Sequence, residues 1–384
     1  MAQATRADAI PSTNVWSAHL TRMKINNPSY ILAIAAPVLL AFSLACAVHT
    51  APFRDDHGRH VPGSVATMTD AMVGGIKQRL WFRGIDVDQP AVILLHGGPG
   101  TSEAALFRRF NADLENEFLM VYWEQRGTGR SYRASIPPRS MTIDQFVRDL
   151  DDVVELVRAR FNKGQVVLLG HSWGSAIGLR YASLHPGKVA AYVGVGQVAD
   201  MREGERLSYE FALREASRRG DDDAVKALQS IGAPPHAVDE MLASRKWVER
   251  FGGSFHGNLS KGKLIAAALQ TDEANLVDLI RFGQGNRFSL NHLWDEFSAL
   301  DIDDRLTRFD TPIVFMLGRH DWQVPAVLAA RYFDRIHAPT KRLVWFEQSA
   351  HNPPFEEPDR FNQAVVEALS FLRLGDRQKH RRPS

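Results

Sequence analysis

A serine hydroxyl is a poor nucleophile at neutral pH, so a neighbouring base must take its proton and a carboxylate must orient and stabilise that base. The chain holds such a set. Ser172 lies in Gly170-His171-Ser172-Trp173-Gly174, Asp321 in Gly318-Arg319-His320-Asp321, and His351 in Ser349-Ala350-His351. They are the candidate nucleophile, acid and base of an acyl transfer, with Asp200 as the alternative acid. Attack on a carbonyl creates an oxyanion, which needs N–H donors already in place where the charge develops. His96-Gly97-Gly98-Pro99-Gly100 offers one, because glycines let a backbone amide approach a substrate without side-chain interference. The expected donors are the amide of Gly98, with Gly97 second, and the amide of Trp173 after the nucleophile.

Such groups work only if rigid elements bring them together. The apolar run 166–169 precedes Ser172 and a helical stretch, 175–184, follows it, so the serine falls on a strand-to-helix turn that can thrust its hydroxyl from the sheet edge. The glycine loop follows a strand at Ala91–Leu95, Asp200 one at 191–198, Asp321 one at 312–317, and His351 one at 343–346. Further strands are expected at 78–84 and 118–123. Between 118–123 and 166–169 an amphipathic helix begins at Thr142, whose hydroxyl can cap the first turn with Gln145 reaching back. Phe146, Leu150, Val153, Val154 and Val157 recur at helical spacing. Alternation of this kind predicts an α/β fold, a mostly parallel sheet with helices on both faces. Residues 64–198 and 309–376 form its two core segments, a helix near Pro358 closes it, and 199–308, helical in period and without a strand, reads as an inserted helical lid.

Composition narrows the function classes. Of 384 residues 45% are hydrophobic and 23% charged, as in globular proteins, and a net charge of +2 gives no reason to expect nucleic acid. The single cysteine, Cys46, excludes an internal disulfide framework and a thiolate metal cluster. It lies in an uncharged run of 19 residues, 30–48, long enough to cross a bilayer as a helix despite Pro37. Ala45-Cys46-Ala47 after Arg22 and Lys24 also fits a signal peptide, of conventional layout if the chain starts at Met23. The expectation is therefore an exported or membrane-anchored protein with a leader at 1–29, a signal peptide or membrane tether at 30–48 and a polar linker at 49–63. The basic tail, 377–384, reads as a solvated end.

Taken jointly, His96-Gly97-Gly98-Pro99-Gly100, Trp123-Glu124-Gln125-Arg126-Gly127-Thr128-Gly129-Arg130-Ser131 and Gly170-His171-Ser172-Trp173-Gly174 resemble the proline iminopeptidase branch of the α/β-hydrolase family. The resemblance covers residues 65–374 and is weak in the lid. It implies an α/β-hydrolase fold and a serine hydrolase that releases an N-terminal residue, often proline, from a short peptide, without metal or organic cofactor. Ser172, Asp321 and His351 match the family's nucleophile, acid and base, and Gly98 with Trp173 its oxyanion donors. Glu124 stands where the family usually has aspartate, and His171 where it usually has glycine. The family grips the substrate amine with acids in or near the lid, for which Glu203, Glu205, Glu210, Glu240 and Glu249 are available. Trp247, Phe251, Phe255, Trp294 and Phe297 are candidate pocket walls or core residues. An esterase, amidase or lactonase of the same fold is the near rival, and a non-catalytic ligand receptor on that fold a further one.

Overall fold

Every residue of Ala91–Leu95 (β3), Leu119–Glu124 (β4), Val166–His171 (β5) and Ile313–Gly318 (β7) is buried, as is nearly all of Val189–Val195 (β6). Continuous apolar runs of this length suit strands covered on both faces. A computed structural model describes residues 48–302 and 305–372. It gathers the strands into an eight-stranded sheet in the order β1-β2-β4-β3-β5-β6-β7-β8. Strands β3 to β8 are mutually parallel, while Val65–Val73 (β1) and Ile76–Gly84 (β2) form an antiparallel hairpin laid against β4. The far edge, Lys341–Phe346 (β8), exposes Lys341 and Arg342, charges of the kind that discourage edge-to-edge association.

Successive strand residues point to opposite faces, so each strand feeds two cores. Ile93 and Leu95 of β3 and Val121 and Trp123 of β4 belong to a core on one face that also takes in Ile143–Arg160 (α2), Trp173–Leu184 (α3) and Ala326–Arg335 (α9). Val92, Leu94, Met120 and Tyr122 belong to the core of the other face with Ala104–Phe110 (α1) and Pro358–Ala368 (α10). Thr142 caps α2 as expected, its hydroxyl taking the Gln145 amide at 3.2 Å, but the Gln145 side chain donates forward to Asp149 at 2.7 Å and does not reach back.

Between β6 and β7 come the helices Met201–Arg219 (α4), Asp222–Ile231 (α5), Val238–Arg250 (α6), Lys261–Ala268 (α7) and Leu276–Ser298 (α8). Tyr209, Phe211, Leu228, Val248 and Phe251 give them a small core of their own. Trp294 and Phe297 of α8 reach the main core, where Phe297 meets Trp173 edge-on at 5.0 Å between ring centroids.

Two readings change. Residues 49–63, read as a linker, carry a hairpin bridge between Arg54 and His60, and the Ala51 carbonyl accepts from Arg83 of β2 at 2.8 Å. The expectation of export or a membrane tether is not upheld: among the described residues no helix is long and apolar enough to cross a membrane. The leader and the apolar run, apart from Val48, lie outside the described residues, as does the basic tail.

Candidate active site

The chain passes from β5 into α3 through one residue, Ser172, held at φ 52° and ψ −119°. A non-glycine residue accepts such a backbone only where its surroundings enforce it. Here the Ser172 amide donates to the Val195 carbonyl at 2.9 Å, while the Ser172 carbonyl accepts from the Ser175 amide at 2.8 Å and the Ser175 hydroxyl at 2.6 Å. Gly174 is obligatory, because a Cβ there would lie 2.0 Å from the Leu95 carbonyl oxygen.

Strands β7 and β8 pair as far as Gly318 and Phe346, so the loops that follow them leave the sheet side by side. They bring Asp321 and His351 together: His351 Nδ1 donates to Asp321 Oδ2 at 2.7 Å, and Asp321 Oδ1 accepts from the Val324 amide at 2.9 Å. With its proton on Nδ1, the ring presents the Nε2 lone pair, which is buried and has no hydrogen-bond partner among the described residues. Burial pushes the His351 pKa below its usual value; Asp321 opposes this, while the charges of His171 and Arg245 add to it. A neutral imidazole is the form a general base requires. His351 and Ser172 line one cavity of about 590 Å³, although no hydrogen bond joins them. Asp200 is elsewhere employed, capping α4 by accepting from the Glu203 amide at 3.1 Å.

The three motifs meet in one network. His96 Nε2 accepts from the Gln125 amide at 3.1 Å and Nδ1 donates to the Gly97 carbonyl at 2.8 Å, as a neutral ring can. Gln125 donates from Nε2 to the His96 carbonyl at 3.2 Å and accepts from Trp173 Nε1 at 2.9 Å, linking the glycine loop to the turn after the serine. From α8, Asn286 Nδ2 donates to the Pro99 carbonyl at 3.0 Å, and the Ser289 hydroxyl donates to the Gly127 carbonyl at 3.1 Å. Gly97 and Gly98 line the cavity, and the Trp173 amide opens α3, where helix geometry leaves amides without an intrahelical acceptor.

Of the five lid glutamates only Glu249 lines the cavity. Glu205 pairs with Arg245, Glu203 and Glu210 with Arg206, and Glu240 caps α6. Phe255, Trp294 and Phe297 form walls, whereas Trp247 and Phe251 pack in or against the small lid core. Other acids at the cavity come from outside that set. Glu273 is bound to Arg108 at 3.0 Å, and Asp278 to Arg130 at 2.5 Å. Glu124 accepts from the Arg130 amide at 2.6 Å, and burial pushes its carboxyl up to about 7. Glu103 lies against His171, a contact no sequence motif announced.

A family model described as alpha/beta hydrolase fold matches residues 90–358. The chain is 36% identical over 301 residues to Probable aminopeptidase YbaC of Bacillus subtilis (strain 168), covering 78% of this chain and 94% of that protein. It is 24% identical over 300 residues to a proline iminopeptidase of Heyndrickxia coagulans, covering 73% of this chain and 91% of that one. The fold is similar to the crystal structure of a proline iminopeptidase from Mycobacterium smegmatis, with a TM-score of 0.59, 16% identity and coverage of 81% of this chain and 100% of that one. The chain therefore belongs to the α/β-hydrolase family and is an enzyme of its proline iminopeptidase-like branch.

Proposed function

We propose that the chain is a serine aminopeptidase acting on short peptides through an acyl-enzyme. Ser172 Oγ attacks the carbonyl of the N-terminal residue while His351 Nε2 takes its proton, and Asp321 stabilises the imidazolium that results. The Gly98 and Trp173 amides receive the oxyanion. His351 then gives its proton to the departing amine, and a water, activated by the same ring, releases the acyl group. The chemistry needs no metal or organic cofactor. The observation that carries this reading is the His351 ring itself, locked by Asp321 at 2.7 Å with its other nitrogen unpaired, on the cavity that Ser172, at φ 52°, also lines.

The aminopeptidase half of the reading is supported by the 36%-identical relative, a probable aminopeptidase, and by acids at the cavity wall. Glu103, Glu273 and Asp278 are each tied to a cationic or protonatable partner, which leaves Glu124 and Glu249 to receive a free α-amine. The helical insertion α4 to α8 would act as the lid over this pocket. The test compares the arylamides of proline and alanine with short acyl esters. Arylamide turnover that disappears in Ser172→Ala is expected; ester turnover with none on either arylamide would transfer the enzyme to the esterases.

A further inference from the structure

His171 ends β5 immediately before the nucleophile, and both of its ring nitrogens face oxygen. Nδ1 lies 2.7 Å from Glu103 Oε1, and Nε2 lies 2.9 Å from the backbone carbonyl of His351. A neutral imidazole has one N–H and cannot donate to two acceptors. An ionised Glu103 therefore requires an imidazolium at His171. The pair is buried at the cavity wall, with His171 only 2% exposed and Glu103 4% exposed.

Its surroundings place this pair against every working part of the site. The ideal Cβ position of Gly97 is 3.1 Å from Glu103 Oε1, 3.4 Å from Ser172 Cβ and 3.6 Å from His171 Nδ1, so the pair lies against the oxyanion loop and the nucleophile. The His171 and His351 rings are 5.0 Å apart between centroids, tilted by 34°. The groups that bear on His171 are Glu103 before α1, His96 after β3, Asp321 after β7 and His351 after β8, with the edge-on ring of Phe355 closing the apolar side. Those that bear on His351 are Asp321, His171 and, from α6, Arg245.

We propose that Glu103 and His171 are positioning residues, a buried carboxylate–imidazolium pair that holds the main chain of the general base and keeps the ring of that base neutral. The carbonyl of His351 is fixed by a charge-assisted donor, which is stronger than a neutral one and defines the direction in which the ring leaves the backbone. A positive charge 5.0 Å from the His351 ring makes a second positive charge there unfavourable, which lowers the pH at which the base is lost to protonation. Burial disfavours the charged form of His171, but Glu103, the His351 carbonyl and Asp321 outweigh it and set its pKa above the usual histidine value. This also gives a reason for histidine, where the resemblance leads one to expect glycine: a glycine has no ring to carry the charge.

The proposal rests on His351 being the base of Ser172, and the tests separate the two. Glu103→Gln isolates the charge from the bond, because an amide can donate to Nδ1 and leave a neutral ring that still donates Nε2–H to the His351 carbonyl. An ester without an amine is the substrate, so that acids elsewhere in the cavity do not enter the profile. The acid limb of kcat/KM is expected to move to higher pH by about one unit, with kcat lowered about tenfold and KM within about twofold. A folded Glu103→Gln enzyme with an unmoved acid limb overturns the proposal. Ring-nitrogen NMR of the unaltered protein at pH 8 does not depend on that variant folding. Among the 14 histidines, one is expected to keep both ring nitrogens protonated, and a spectrum in which every ring is neutral overturns the proposal. Failure of a fluorophosphonate to label Ser172 would instead remove the base on which it rests, and leave the NMR result standing.

Discussion

Glu124 carries the substrate half of the proposal. Its Oε2 accepts from the Arg130 amide at 2.6 Å, while Oε1 has only a long contact, 3.5 Å, from the Ser102 hydroxyl. With its pKa pushed up to about 7 by burial, it is neutral in acid and a carboxylate in base, whereas a substrate α-amine is still cationic at neutral pH. KM for proline arylamide is therefore expected to fall as pH rises through about 7, and KM for an ester without an amine to stay level. Glu124→Gln should abolish that pH dependence and raise the arylamide KM about tenfold, the worth of a charge-assisted hydrogen bond. Equal pH dependence for both substrates would assign the amine to another acid, Glu249 first. Ser172, Asp321 and His351 stand out as candidates in the chain because each follows its own apolar run, and the structure brings Asp321 to His351 at 2.7 Å. Glu103 does not stand out, since it meets His171 across 68 residues with no motif and no periodicity to join them.

Strand β4 ends in a turn that is held by charge. Arg126 Nε and Nη2 donate to Asp149 Oδ2 and Oδ1 at 2.9 and 3.0 Å, and Gln78 Nε2 donates to the same carboxylate at 2.7 Å, with both ions buried. Removing one partner of such a pair leaves the other charged and unsolvated. Asp149→Ala is expected to lower the unfolding free energy by about 3 to 5 kcal/mol in urea titration, with the m-value unchanged. A loss below about 1 kcal/mol would mean that solvent reaches Arg126 after all. Strands β3, β5, β6 and β7 were legible because their runs are apolar or nearly so. Strand β1 was missed: as an edge strand it is half-exposed, and its Met, Thr and Asp residues give no clean alternation. The signal that was there is Gly74-Gly75, a two-residue hairpin connection with φ of 55° and 78°. The reciprocal cap at Thr142 failed for a similar reason, since sequence spacing does not say that Asp149 competes for Gln145.

The proposed chemistry lies at one end of the sheet, and α8 is tied to the loops there. Asn286 is the direct tie, donating to Pro99 and, at 3.2 Å, to the Thr101 hydroxyl. Asn286→Ala should lower kcat/KM about twofold to tenfold, as loss of one or two neutral hydrogen bonds allows, and change the melting temperature little. An unchanged kcat/KM would show that the glycine loop keeps its place without α8. The proposed mechanism rests on activation of Ser172 by His351, so the decisive experiment asks whether that serine is activated. Intact-protein and peptide mass spectrometry after brief exposure to a fluorophosphonate reads this without knowledge of the substrate. One adduct, located at Ser172 and absent from Ser172→Ala and His351→Ala, is expected; an adduct on another residue, or undiminished labelling in His351→Ala, would contradict the Ser172–His351–Asp321 assignment.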